Sequence, residues 1–268
     1  GVILVTTKKG RSGRPQFNYT GVTGWQMPTN VPKMATAAQY LEMYNDAIFL
    51  RDGVHSISEE KLQKWKTGAE GYKSTNWYEE TMRKSAFQQN HDLSVSGGNE
   101  NSNYFVSFGY YDEGGLLKSE DMRYTHYNFR SNVSLKLVEN LTAEIMLSGR
   151  YSKRTYPGGD GFIWIYKGTI ISLPHEAPYI NGDPSYPANI HNQQNPVLMG
   201  QKDFAGYTNN EFKFFQSSAA LNYTVPFVKG LKARATFAYD SYNNFNKNVW
   251  TNYRVYSPDL TSQIINPP

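Results

Sequence analysis

Long stretches in which apolar and polar residues alternate restrict the fold of this chain more than any other feature. In the clearest stretch, residues 127–137, one face is apolar and the other is polar. The apolar set is Tyr127, Phe129, Val133, Leu135 and Leu137, and the polar set is Asn128, Arg130, Asn132, Ser134 and Lys136. A period of two residues is typical of a β-strand with two different faces. Similar patterns at residues 17–25, 93–95, 104–110, 141–151, 215–225 and 231–239 bring the prediction to about seven strands.

The predicted strands are long. An eleven-residue strand that advances about 3.3 Å per residue and tilts by about 40° rises roughly 28 Å, close to the thickness of a bilayer's hydrocarbon core. Strands of ordinary globular domains have about five or six residues. No segment of the sequence approaches the ~20 apolar residues of a membrane-spanning helix. The pattern therefore favours an all-β fold, an antiparallel transmembrane β-barrel, over a helical membrane protein.

The connections between the predicted strands fall into two classes. Residues 97–101, 138–140 and 228–230 form tight turns, whereas residues 26–87 and 153–210 form long loops. When the strands are followed up and down, every tight turn falls on one side and every long loop on the other. Outer-membrane barrels have this asymmetry, with the long loops outside the cell.

Local signals predict two short helices in the first long loop. Thr36 and Gln39 have the spacing of a capping box, and an apolar face follows them. Ser58 precedes two glutamates and opens a second helix, which we expect to end at Gly68. Tyrosines gather near the predicted strand ends, where amphipathic rings favour the level of the lipid headgroups. They are Tyr104, Tyr110, Tyr111, Tyr124, Tyr127, Tyr151, Tyr223 and Tyr239.

Several motifs in sequence order resemble one family. Residues 1–10 look like the last strand of the plug domain in SusC/RagA-type TonB-dependent outer-membrane transporters. Residues 75–80 resemble the family's entry to its second barrel strand, and residues 91–98 with 104–110 resemble its first tight hairpin. The likeness is close over residues 1–155 and continues at 211–242 only as strands of the right kind. It implies a barrel of about 22 strands that is closed by an N-terminal plug.

The resemblance also implies a domain division, a location and partners. Residues 1–14 would be the end of the plug domain and a linker, and residues 15–268 the N-terminal part of the barrel. We therefore expect a piece of a longer protein in a Gram-negative outer membrane, in contact with its lipid. Family members import glycans, oligosaccharides or peptides beneath a SusD-like surface lipoprotein, with energy from the TonB complex. The segments that bind TonB would lie outside this chain.

Enzyme chemistry has little support in the sequence. Three acidic pairs, at residues 79–80, 112–113 and 120–121, invite a hydrolase interpretation. Adjacent side chains in an extended chain point to opposite faces, so these pairs do not predict a catalytic cleft. The five histidines lack metal-ligand spacing, and the chain has no cysteine. We predict no catalytic, metal or cofactor site. The basic run at residues 8–14 indicates a solvated linker, so we do not expect nucleic acid as a partner.

The second long loop carries the candidate ligand-binding residues. Aromatic rings stack on sugars or peptide side chains, and neighbouring amides fix the orientation of a ligand. The candidates are Trp164, Tyr166, His175, Tyr179, Tyr186 and His191. Two other interpretations stay open: these residues dock the lipoprotein, or the run 162–165 forms a small core that orders a long loop.

Two other function classes also stay open. A passive porin or structural barrel would share the long strands and the loop asymmetry but not the plug. A soluble carbohydrate-binding β-domain would share only the aromatic surface, and it would need no detergent.

Overall fold

A single antiparallel sheet dominates the structure, a computed structural model that describes residues 10, 12–158, 161–192, 194–259 and 261–265. The order of the strands in the sheet is their order in the chain. They are β1 (Gly13–Gln26), β2 (Ala86–Gly98), β3 (Ser102–Gly114), β4 (Arg123–Val138), β5 (Leu141–Pro157), β6 (Tyr207–Thr224) and β7 (Lys232–Val249). In the part of the chain described, β1 and β7 are the two edges, so the sheet is open. Of the predicted plug strand, residues 1–10, all but Gly10 lie outside the described residues.

The register of the sheet gives it one apolar and one polar face. Residues directly opposite each other in antiparallel strands lie on the same face. Phe129 of β4 pairs with Phe108 of β3, which pairs in turn with Leu93 of β2. On the other face, Asn128 pairs with Gly109 of β3 and Arg150 of β5. The predicted division between two faces is confirmed for residues 127–136, after which the register shifts at Leu137. The two surfaces are called the apolar face and the polar face.

The two ends of the sheet differ in their connections. At one end, named the turn edge, the strands are joined by short connections, residues 99–101, 139–140 and 225–231. Residues 27–85, 115–122 and 158–206 join them at the other end, named the loop edge. The predicted separation of short turns from long loops is confirmed.

The long loops are shorter than the predicted 26–87 and 153–210, because the strands continue into them. Gln26 still pairs with Ala86, and Trp25 packs edge-on against Phe87 at 5.7 Å between ring centroids. The β5–β6 hairpin continues to the pair Pro157 and Tyr207. Polar cross-strand contacts extend it, including a 2.8 Å hydrogen bond from the Thr155 hydroxyl to Asn209 Oδ1.

Short helices occupy the loop edge. The first loop contains α1 (Ala37–Asp52), α2 (Glu59–Thr67) and α3 (Trp77–Thr81). The predicted capping box is present: the Gln39 amide donates to Thr36 Oγ1 at 3.3 Å, and the Thr36 amide donates to Gln39 Oε1 at 2.9 Å. Gly68 ends α2 with a φ of 66°, a left-handed conformation that suits glycine.

The second loop also contains helices, which the sequence did not predict. They are α4 (Phe162–Ile171), α5 (Pro196–Met199) and α6 (Lys202–Ala205), with a 3₁₀ turn at Ile180–Gly182. After β7, a two-stranded ribbon follows, β8 (Tyr253–Tyr256) and β9 (Ser262–Ile265). Within the described ranges, no helix is both long and apolar enough to cross a membrane.

Buried apolar residues concentrate in the loops and not on the sheet. One cluster joins Tyr78 of α3, Met82 at the end of α3, Leu117 of the β3–β4 loop, Ile165 of α4 and Met199 of α5. Large apolar side chains on the sheet, in contrast, are open to their surroundings, as Phe17 at 75% and Phe237 at 71% exposure illustrate. The loops therefore pack as a small globular assembly at one end of a sheet whose apolar face is uncovered.

Candidate functional site

Helix α4 holds the centre of the loop assembly. Ile165, Gly168 and Thr169 form its buried side. A Cβ atom on Gly168 would lie 3.0 Å from Cβ of Pro196 and 3.3 Å from the carbonyl oxygen of Gln194, so glycine allows α5 to approach closely. The Ser172 hydroxyl donates a 2.7 Å hydrogen bond to the Gly168 carbonyl and ends the helix. This packing fixes the positions of the aromatic residues that α4 carries.

Trp164 and Tyr166, two of the predicted ligand residues, lie half-buried against the cluster around Ile165. Tyr166 meets Tyr78 edge-on at 6.5 Å between ring centroids. The Lys167 ammonium lies 4.6 Å from the centroid of the Trp164 ring, which gives a cation–π contact. Both rings thus have packing partners within the chain.

His175, another predicted residue, joins the second loop to the first. Its ring stacks on Tyr40 of α1 at 5.6 Å and meets Trp65 of α2 edge-on at 6.2 Å. Burial lowers the pKa of His175, because a low-dielectric environment disfavours the imidazolium. Glu176 opposes that effect, and the charges of His191 and Lys61 reinforce it.

Three buried polar atoms around this histidine lack a hydrogen-bond partner in the described structure. They are His175 Nδ1, Trp65 Nε1 and Glu176 Oε2. The other carboxylate oxygen, Glu176 Oε1, accepts a 2.7 Å hydrogen bond from the His191 amide, while the His191 ring is exposed. His175 and His191 are therefore close enough to interact, and Glu176 contacts the His191 backbone.

Tyr179 and Tyr186 belong to a third group, beside β8. Tyr179 packs against the cluster of Leu198, Tyr253 and Val255, and its hydroxyl oxygen accepts a 3.2 Å hydrogen bond from the side-chain amide of Gln201. Burial raises the pKa of Tyr253 to about 12. Tyr186 meets Tyr256 edge-on at 5.3 Å and remains 38% exposed. By these contacts, the six predicted residues fall into three groups.

Two of the three acidic pairs that invited a hydrolase interpretation, at residues 112–113 and 120–121, contribute to ion pairs near the loop edge. Arg123 donates two hydrogen bonds to Asp112, at 2.7 and 2.9 Å. Glu120 pairs with Arg83 at 2.8 Å, and Asp121 pairs with Lys202 at 3.3 Å. These pairs tie the β3–β4 loop to its neighbours.

A second candidate site, which the sequence did not predict, lies on the polar face next to the loop edge. We name it the upper polar cluster, defined as Tyr124, His126, Arg150, Arg154 and Phe212. The register places its members on adjacent strands: Tyr124 lies opposite Arg154, and Ser152 lies between His126 and Phe212. Most members of the cluster line a cleft of about 320 Å³, which Asn210 and Asn244 also border.

Both arginines of the upper polar cluster contact Tyr124. Arg150 Nη2 lies 2.7 Å from the Tyr124 hydroxyl oxygen, and the Arg154 guanidinium lies 5.3 Å from the centre of the same ring. Neither arginine has an ion-pair partner among the residues that the structure describes. Arg234, lower on the same face, pairs with Glu144 at 3.1 Å. The upper polar cluster therefore concentrates positive charge.

Tyr111 and Tyr124 correct the prediction of a tyrosine belt. Tyr111 lies opposite His126, and Tyr124 lies two residues before His126, so both point to the polar face. The apolar face does carry Tyr104, which pairs with Val133. It also carries Tyr127, which pairs with Tyr110 on one side and Tyr151 on the other. Counting alternate positions back from Asn128 places Tyr124 and His126 with the polar residues, and that signal could have located the cluster.

Comparisons with known proteins agree on one class, the TonB-dependent receptors. No family model matches the chain. The chain is 26% identical over 264 residues to TonB-dependent receptor P26 of Formosa agariphila, a match that covers 97% of the chain and 24% of that protein. It is 24% identical over 282 residues to TonB-dependent receptor SusC of Bacteroides thetaiotaomicron, covering 91% of the chain and 26% of SusC.

Solved structures give the same architecture. The RagAB peptide importer in its closed-closed state matches with a TM-score of 0.67 at 19% identity, over 90% of this chain and 29% of that one. Its open-open state matches with a TM-score of 0.65 at 18% identity and the same coverage. At such identity the likeness shows the fold alone, and it confirms a partial antiparallel β-barrel.

The chain is SusC/RagA-like, as its motifs predicted. It spans about a quarter of the length of the curated relatives that it matches.

Proposed function

We propose that this chain is the N-terminal part of the barrel of a TonB-dependent importer in a Gram-negative outer membrane. Residues 1–14 would end its plug domain, and residues 15–268 would begin its wall. The observation that carries the proposal is a sheet of long strands with one apolar and one polar face, in a chain similar to SusC along 91% of its length. An apolar exterior suits hydrocarbon, whereas a polar interior suits a water-filled or plugged lumen.

The loop edge would then face the outside of the cell. A packed set of helices at this edge provides a rigid rim on which a SusD-like lipoprotein could dock. Of the six predicted ligand residues, Tyr186 and His191 have exposed rings, so they are the ones best placed for cargo or partner. Trp164, Tyr166, His175 and Tyr179 would hold the rim together.

Cargo would be an oligosaccharide or a peptide. The resemblance to the SusC/RagA family implies either class, and the likeness to a peptide importer supports the second. In either case no catalysis is required, because energy from the TonB complex would drive release into the periplasm.

Uptake in cells tests the proposal. A strain that expresses the full-length protein is compared with strains that lack this gene or a functional TonB complex, on defined oligosaccharides and on peptides. We expect one cargo class for which uptake requires both genes. A matched control is a cargo small enough for general porins, whose uptake neither deletion should change. Uptake that needs the gene but persists without TonB would indicate a passive porin and contradict the proposal.

A further inference from the structure

We propose that the upper polar cluster is a binding subsite for a saccharide that carries a carboxylate or sulfate group. This inference rests on the proposed function, since it supplies a cargo class for the same importer.

The first argument is the arrangement of charge. Arg150 and Arg154 are two strand positions apart on one face, and both guanidinium groups reach Tyr124. A guanidinium is a planar fork of donors that fits a carboxylate or sulfate with two parallel hydrogen bonds. Because neither arginine is neutralised by a carboxylate within the described ranges, both retain donors for an external anion.

The second argument is the lining of the cleft. Phe212 packs edge-on against Tyr242 at 4.9 Å between ring centroids, which holds the Phe212 ring in position. An aromatic face can stack on the C–H face of a sugar ring. Asn210 and Asn244 supply both donors and acceptors, the combination that sugar hydroxyls need. Beside the cleft, His126 lies opposite the lining residue Ser152, and its buried Nδ1 has no hydrogen-bond partner in the described structure.

The third argument separates a saccharide from a peptide. Peptides are commonly bound by main-chain hydrogen bonds along an open strand edge. Here the cluster lies on β4, β5 and β6, and each of these strands is paired on both sides. The groups that these strands can offer to a ligand are therefore the side chains that project from the sheet. Such a surface suits an anionic, hydroxyl-rich ring better than an extended backbone.

Binding to the purified full-length protein tests the inference by calorimetry in detergent. One pair of probes is tetragalacturonate and its methyl ester, in which each carboxylate is replaced by an uncharged ester. The other pair is sulfated neocarratetraose and its desulfated form, so that a carboxylate and a sulfate are distinguished. Tetraglutamate serves as the acidic peptide. We expect at least one charged saccharide to bind about tenfold or more tightly than its neutral form, because hydrogen bonds to charged groups contribute strongly.

Substitutions connect that preference to the cluster. Arg150→Gln with Arg154→Gln should remove the charge preference, whereas Arg150→Lys with Arg154→Lys should retain part of it. Lys213→Gln is the matched control, because Lys213 lies opposite Tyr151 and so on the apolar face at a similar height. It should bind both forms as the unaltered protein does. Heat-modifiable migration in gels checks that every variant is folded.

Three results would overturn the inference: equal affinity for the charged and neutral forms, a charge preference that survives in the double glutamine variant, or tighter binding of tetraglutamate. The last result would assign the cluster to acidic peptides. TonB-dependent uptake that persists after any of these results would leave the proposed function intact, so the two failures can be told apart.

Discussion

Arginine substitution on the two faces of β4 tests the orientation of the sheet. Val133 lies one residue from the middle of the alternating stretch 127–137, and on the apolar face it pairs with Tyr104 and Ile145. If the apolar face meets lipid, Val133→Arg places a guanidinium near the bilayer centre. The expected loss in free energy of unfolding is about 2–4 kcal/mol, which reduces the folded-to-unfolded ratio by roughly thirtyfold to several hundredfold.

Ser134→Arg provides the matched control on the polar face. Ser134 pairs with Asn103 and with Glu144, so the new guanidinium would share with Arg234 a carboxylate directly across the strands. An opposite-charge pair in this position contributes about 0.2–1 kcal/mol in favour of folding. Ser134→Arg should therefore be nearly neutral.

Folding of the full-length protein into lipid vesicles measures both variants, with urea titration followed by tryptophan fluorescence. The expected order is a large loss for Val133→Arg and little change for Ser134→Arg. Equal tolerance of the two substitutions, or a larger loss at Ser134, would refute the assignment of the apolar face to lipid.

Three further predictions concern the loop assembly. Thr36→Ala should remove the α1 cap and destabilise its first turn by about 0.5–2 kcal/mol, seen as faster hydrogen exchange there but not in α2. Since burial lowers the pKa of His175, its contribution to loop stability is present above the unfolded value of about 6.5 and is lost as pH falls through the lowered folded pKa. After correction for the intrinsic pH dependence of amide exchange, the protection of α1 and α2 should therefore fall in acid, and His175→Gln should flatten that fall; an unchanged slope would exclude the histidine. Tyr166→Ala should speed hydrogen exchange in α4, whereas Tyr186→Ala should leave it unchanged. For Tyr186→Ala, loss of uptake with intact lipoprotein capture would indicate cargo contact, and loss of capture would indicate docking.

The sheet was predictable from the sequence because strand periodicity is local. Alternation at 127–137 fixes which side chains share a face, and the same reasoning applied to each strand gives the apolar face. The α1 cap was predictable for a similar reason, since Thr36 and Gln39 contact each other across three residues.

Other features depend on distant contacts. Helix α4 consists almost entirely of apolar residues and has no polar stripe, so its sequence does not distinguish a buried helix from a strand. What distinguishes the two is packing against distant residues, since Ile165 of α4 is buried against Tyr78 and Met199. The separation of the six predicted ligand residues into three groups likewise follows from which loop each one packs against, and spacing along the chain does not encode that.

The consecutive pairing of strands has a consequence for how such a wall is assembled. Residues 99–101, 139–140 and 225–231 connect β2–β3, β4–β5 and β6–β7, so each of these pairs can close as a hairpin from neighbouring residues. Joining β1 to β2 requires closure across residues 27–85, which is roughly 2–3 kcal/mol more unfavourable in chain entropy than closing a three-residue turn. The hairpin is therefore the unit of assembly, and pairing of β1 with β2, like pairing of β5 with β6 across residues 158–206, has to wait until a long loop has closed.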